Sequence, residues 1–135
     1  PITVKCRLGV DDDDDFDQFL AFVDTIAAAG CNTVVVHARN AWLKGLSPKE
    51  NREVPPLRYE WAYRLKQLRP ALDIHLNGGI GTVDDCVEHL RHVDGVMLGR
   101  AAYHDPYLLH RLHAHMHGAS LQSRDALLRA LRPYV

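Results

Sequence analysis

Nowhere in these 135 residues does an apolar run approach the roughly 20 residues that a membrane-spanning helix needs, and no basic leader precedes an apolar stretch. The sequence therefore predicts a soluble, cytoplasmic protein with no membrane partner. Cysteine is scarce as well. Cys6, Cys31 and Cys86 are odd in number, unevenly spaced and without a Cys-x-x-Cys pair, which argues against a disulfide framework and against a zinc site. The acidic run 11–15 is not a calcium loop, because Phe16 stands where such a loop needs glycine. The length suffices for one core, so the chain is one domain or part of one.

Net charge is also small, at −1, but it is unevenly spread. Residues 1–30 hold two basic groups against seven acidic ones, whereas residues 39–69 hold eight basic against three acidic. A polyanion can land on the second block without the whole protein being basic. Composition alone favours a plainer account, a solvated helix face.

Four short apolar runs dominate what is present. Each ends on a charged or phosphate-competent group: Val4-Lys5-Cys6-Arg7, Val34-Val35-Val36-His37-Ala38-Arg39, Ile74-His75-Leu76-Asn77-Gly78-Gly79 and Gly95-Val96-Met97-Leu98-Gly99-Arg100. The runs predict strands over about 2–7, 33–37, 73–76 and 95–98. Between them, Phe16, Phe19, Leu20, Val23, Ile26 and Ala27 repeat at helical spacing, with Gly30 as the stop. A second helix is expected over about 60–69, ending before Pro70. Thr82 with Asp85 reads as a capping box for a third, running to about 91. Asp105 followed by Pro106 reads as the N-cap and first residue of a fourth, stopped by Gly118, and Ser123 opens a last one. The stretch 38–57 lacks periodicity, yet Trp42, Leu43 and Leu46 give it apolar anchors, so it is expected to be an ordered active-site loop.

Alternation of strands and helices without hairpin signals means parallel strands joined by right-handed crossovers. A full (β/α)8 barrel needs about 250 residues. The expected fold is therefore an α/β parallel half-barrel, strands five to eight of a TIM barrel, with two open sheet edges; residues 1–118 form the half-barrel and residues 119–135 begin a C-terminal helical domain. The missing N-terminal half is the partner those edges require.

In such a fold, ligands bind where the strand tips gather, and phosphate often sits after strands seven and eight. Asn77-Gly78-Gly79 and Gly99-Arg100 are placed for that role, the glycines allowing backbone N–H groups to approach an anion and Arg100 adding a charged fork. Two connecting turns with no ligand remain the alternative. Lys5 and Arg7 share one face of their strand and Cys6 takes the other, so Cys6 is expected to pack against helices rather than act as a nucleophile. His37 and Arg39 crown the second strand as hydrogen-bonding and cationic groups. His110, His113 and His117 share a helix face, but no acidic or thiol ligand accompanies them, so no metal is assigned.

Taken together, Val4-Lys5-x-Arg7, His37-Ala38-Arg39-x-Ala41-Trp42-Leu43-x-Gly45-Leu46-Ser47-Pro48-Lys49-Glu50-Asn51-Arg52, Asn77-Gly78-Gly79-Ile80 and Asp94-Gly95-Val96-Met97-x-Gly99-Arg100 closely resemble the tRNA-dihydrouridine synthases, and among them the bacterial A subfamily. The similarity runs from Pro1 to about Tyr134. The signature from His37 to Arg52 is highly specific, whereas the glycine motifs occur in many flavin and phosphate barrels. The resemblance implies an FMN-bearing, NADPH-driven oxidoreductase that reduces the C5–C6 double bond of D-loop uridines 20 and 20a in tRNA. It implies that Lys5 and His37 contact the flavin, that Asn77, Gly78, Gly79, Gly99 and Arg100 hold its phosphate, and that Lys49 and Arg52, with Arg39, face tRNA. The family's proton donor is a cysteine after the fourth strand, which would lie ahead of Pro1. No catalytic residue is therefore assigned in this chain, and the chain alone is expected not to turn over.

Two other readings fit parts of the pattern. One is a non-redox barrel that grips a sugar-phosphate with the same glycine turns. The other is a half-barrel that pairs with its own copy as a tRNA-binding module.

Overall fold

The computed structural model describes residues 2–134. Its centre is one four-stranded, all-parallel sheet in sequential order, built from β1 (Thr3–Arg7), β2 (Thr33–His37), β3 (Asp73–Asn77) and β4 (Gly95–Met97). Each strand is followed by helix: α1 (Phe16–Ala28), α2 (Tyr59–Leu68), α3 (Val83–His89), then α4 (Arg100–His104), α5 (Tyr107–His117) and α6 (Arg124–Leu131). The expected order holds apart from one added short helix, α4, and β1 and β4 are the two open edges.

Register separates the sheet's two faces. Cys6, Val36, Leu76 and Val96 are successive partners, so they share a face; Val34 and Ile74 lie on it too. That face carries the core, where Val23, Val34, Val36, Leu65, Ile74, Leu76 and Cys86 are almost wholly buried between sheet and helices. Burying each Val, Leu or Ile contributes roughly 1.5–3 kcal/mol. Cys6 packs against the same cluster, and burial pushes its thiol up to about 11, which suits packing rather than nucleophilic work. The opposite face carries Lys5, Arg7, Val35, His37, His75, Asn77 and Met97.

Helix ends follow the sequence closely. Asp15 caps α1 by accepting from the Asp17 amide at 2.8 Å, and Gly30 follows at φ 94°. Thr82 and Asp85 form the reciprocal capping box at α3, and Ser123 caps α6. Beyond shifts of a residue or two at element ends, one cap and one element differ. Pro106 rather than Asp105 occupies the cap position of α5, and the Asp105 carboxylate instead receives Arg111 and Arg124, each at 2.9 Å. The five-residue α4 was not expected, because Arg-Ala-Ala-Tyr-His is too short to display a period.

Candidate flavin and RNA site

The C-terminal tips of the strands meet in a single row. Arg7 pairs with His37, His37 with Asn77 and Asn77 with Met97, so four side chains from four strands stand side by side on the face away from the core. A cleft of about 280 Å³ opens above three of them, lined by His37, Arg52, Asn77, Gly78, Gly79, Ile80, Gly81, Met97, Gly99, Arg100 and Ala101.

Its floor is shaped by glycine. Gly78 and Gly79 have φ of 113° and 70°, a region that side chains rarely occupy. Space forbids a side chain as well: a methyl on Gly78 would meet the His37 ring at 2.7 Å, and one on Gly79 would meet Leu57 at 2.7 Å and the Tyr59 hydroxyl at 2.8 Å. Nothing lies within 4 Å of the corresponding position on Gly99, so that side of the cleft is open. Asn77 turns one amide N–H to the Met97 carbonyl at 2.7 Å, which ties β3 to β4.

The electrostatics are those of an anion site with a neutral imidazole. His37 is buried; that burial, with the charges of Arg7, Lys5, Arg39 and Arg100, holds its pKa down to about 4. At neutral pH the ring is uncharged, with one donor and one acceptor nitrogen. Arg100 reaches across the mouth and pairs with Glu53 from the long loop.

That loop is ordered, but by polar bonds more than by the expected apolar anchors, since Leu43 is 70% exposed and Trp42 and Leu46 are only partly buried. Arg7 Nη1 donates to the carbonyls of Asn40 and Asn51 at 2.8 and 2.9 Å. The Asn51 side chain accepts from the Trp42 amide at 2.8 Å and donates to its carbonyl at 2.5 Å. Ser47 and Glu50 exchange backbone and side-chain bonds around a 3-10 turn over Glu50–Arg52. Lys49 and Arg52 are thereby held on the exposed side.

Of the residues singled out in the sequence, His37, Asn77, Gly78, Gly79, Gly99, Arg100 and Arg52 come together at this cleft. Lys5 stands outside it on the edge strand, on the same face; partial burial and Arg7 lower its pKa. Arg39 is buried under the loop and donates to the Pro55 carbonyl, with its Nε lacking a partner among the described residues. Sequence reasoning passed over Glu53, Leu57 and Tyr59, which carry no local signature, and over the clamp made by Arg7 and Asn51.

The basic block also resolves into two parts. Its helical portion is largely neutralised: Arg58 pairs with Asp14, Lys66 with Asp94 at 2.7 Å, and Arg69 with Asp24 at 2.6 Å, while Arg64 keeps its charge and lies over the Phe16 ring. Lys44, Lys49 and Arg52, all on the loop, have no ion pair among the described residues. Of these, Arg52 lines the cleft and Lys49 acts with it on Glu53, while Lys44 lines a separate depression with Asp11, Asp12 and Trp42.

A model of the dihydrouridine synthase (Dus) family matches residues 1–131. The chain belongs to the dihydrouridine synthase family. It is 70% identical over 135 residues to a tRNA-dihydrouridine(20/20a) synthase of Xanthomonas axonopodis pv. citri, 62% identical over 136 residues to the protein of that name from Xylella fastidiosa, and 47% identical over 138 residues to that from Salmonella typhimurium. Each alignment takes in the whole chain and 40–42% of the relative. The chain thus spans about 40% of the length of the curated relatives it matches. Membership in this family accounts for the parallel sheet of a partial barrel. No helix among the described residues is long and apolar enough to cross a membrane.

Proposed function

We propose that the protein to which this chain belongs is an FMN-dependent oxidoreductase that reduces uridines 20 and 20a of tRNA to 5,6-dihydrouridine, with NADPH as the reductant, in the cytoplasm. The observation that carries this reading is the convergence of a neutral histidine, two positive-φ glycines, an open glycine and Arg100 on one cleft, with the loop cation Arg52 in its lining. The four strands are strands five to eight of the barrel, residues 1–118 its C-terminal half, and residues 119–135 the beginning of a helical domain.

The residues present fit the flavin. Gly78, Gly79, Gly99 and Arg100, with Asn77, hold the phosphate, because glycine turns bring backbone donors close and Arg100 adds a charged fork. By the family resemblance His37 and Lys5 would contact the ring, His37 from the cleft lining and Lys5 from the edge strand outside it. When bound and reduced, FMN supplies hydride to the pyrimidine. The neutral His37 imidazole orients its partner by hydrogen bonding without adding a fixed charge. Lys49 and Arg52 receive tRNA phosphates, and Arg39 shapes their loop from beneath through Pro55.

Protonation of the reduced base needs an acid, and none of the three cysteines suits it. Cys6 packs on the helix side of the sheet, and Cys31 and Cys86 are buried. The family resemblance implies a cysteine donor in the rest of the barrel, so the 135-residue chain alone is expected to form no dihydrouridine. The test is to assay dihydrouridine in tRNA with the full-length protein, FMN and NADPH, beside this chain under the same conditions. Turnover by the full-length protein alone supports the reading. Turnover by the short chain, or none by either, contradicts it.

A further inference from the structure

We propose that Tyr59 is a positioning residue that aims the Gly79 N–H into the cleft, an assignment that rests on the flavin-phosphate reading above. Tyr59 opens α2 at the end of the long loop, and its hydroxyl donates to the Gly78 carbonyl at 2.8 Å. The carbonyl of Gly78 and the N–H of Gly79 belong to one planar, trans peptide, so they point in opposite directions. Fixing the carbonyl on the helix side therefore fixes the N–H on the cleft side. Gly79 lines the cleft, and its N–H has no partner among the described residues.

Glycine makes such a constraint necessary. Two adjacent residues without side chains leave the peptide between them free to rotate, and a rotated peptide presents a carbonyl oxygen to the incoming anion. Packing restrains the turn from two sides, His37 against Gly78 and Leu57 against Gly79, but packing on a glycine does not select the direction of its peptide plane. The Tyr59 hydroxyl does.

Tyr59 is itself held. Its ring lies 4.4 Å, centroid to centroid, from that of His89, which is buried on α3. The Tyr63 hydroxyl, one turn further along α2, meets His89 Nδ1 at 2.6 Å. The phosphate turn is thus tied through Tyr59 to both flanking helices.

The test compares FMN with riboflavin, which differ only at the phosphate, in fluorescence titrations of the full-length protein stripped of flavin. Tyr59→Phe keeps the ring and removes the donor. It is expected to weaken FMN about tenfold while riboflavin binding stays at the wild-type value, the size of one hydrogen bond lost to a buried carbonyl. Tyr59→Met, lacking the ring, supplies a second reading of the same FMN-to-riboflavin ratio, which is insensitive to a general loss of folded protein. Tyr63→Phe, which leaves Gly78 untouched, is expected to keep the wild-type ratio. Equal weakening of both flavins in Tyr59→Phe, or no change in either, overturns the assignment. A wild-type protein that binds both flavins equally tightly overturns the phosphate reading beneath it.

Discussion

Arg7 is the register partner of His37, and one guanidinium serves both the imidazole and the loop: its charge disfavours protonation of the ring, while its N–H groups hold the carbonyls of Asn40 and Asn51. Site and loop are thereby coupled. Asn51 completes the clamp through its two bonds to Trp42. Asn51→Ala removes both of those bonds and is expected to weaken tRNA binding about three- to tenfold through loss of loop order, with FMN affinity unchanged. Filter binding and flavin titration on the same preparation check this.

The depressed pKa of His37 carries a stability prediction. Between pH 6.5 and about 4 the unfolded chain binds a proton on this imidazole that the folded chain does not. More protons on the unfolded state means that stability rises with pH across that window and is lost as pH falls through it. The separation from 6.5 to about 4 corresponds to roughly 3 kcal/mol at most. Denaturant unfolding of the flavin-free full-length protein at pH 7 and pH 4.5 is expected to show a smaller pH difference in His37→Asn than in wild type.

The ion pair of Arg100 with Glu53 competes with any anion for the arginine. Both side chains are about half exposed, at 51% and 46%, so solvent screens the pair and leaves it weak. Glu53→Gln is expected to tighten inorganic phosphate about two- to fivefold, and Arg100→Ala to weaken it, both measured by calorimetry on flavin-free protein.

Free charge on the loop has its own signature. If Lys49 and Arg52 each neutralise one RNA phosphate, the double substitution Lys49→Ala/Arg52→Ala lowers affinity at low salt and flattens the slope of log K against log salt by about 1.4, two single-strand contacts at about 0.7 each. An unchanged slope places the RNA elsewhere.

How much of this was legible beforehand follows from range. The strand tips were readable because short apolar runs ended on His37, Asn77 and Gly99, and the alternation of Lys5, Cys6 and Arg7 correctly separated packing from polar face. Thr82 and Asp85 were readable because a capping box is local. Glu53 and Arg100 are 47 residues apart, and no periodicity joins them. Asp105 looked like a cap by its position before Pro106, but arginines 6 and 19 residues further on claim its carboxylate. Tyr59 resembled any aromatic in a first helical turn; its role depends on where the Gly78 carbonyl points, which only the folded chain reveals.

The proposed function requires the cleft above β2, β3 and β4 to hold the phosphate end of a flavin. A crystal structure of the full-length protein with FMN tests it most directly. The phosphorus is expected against the N–H groups of Gly79 and Gly99, with Arg100 released from Glu53 and the flavin ring beside His37. A phosphate bound away from Gly78–Gly79 and Gly99–Arg100, or a flavin lying outside this cleft, contradicts it.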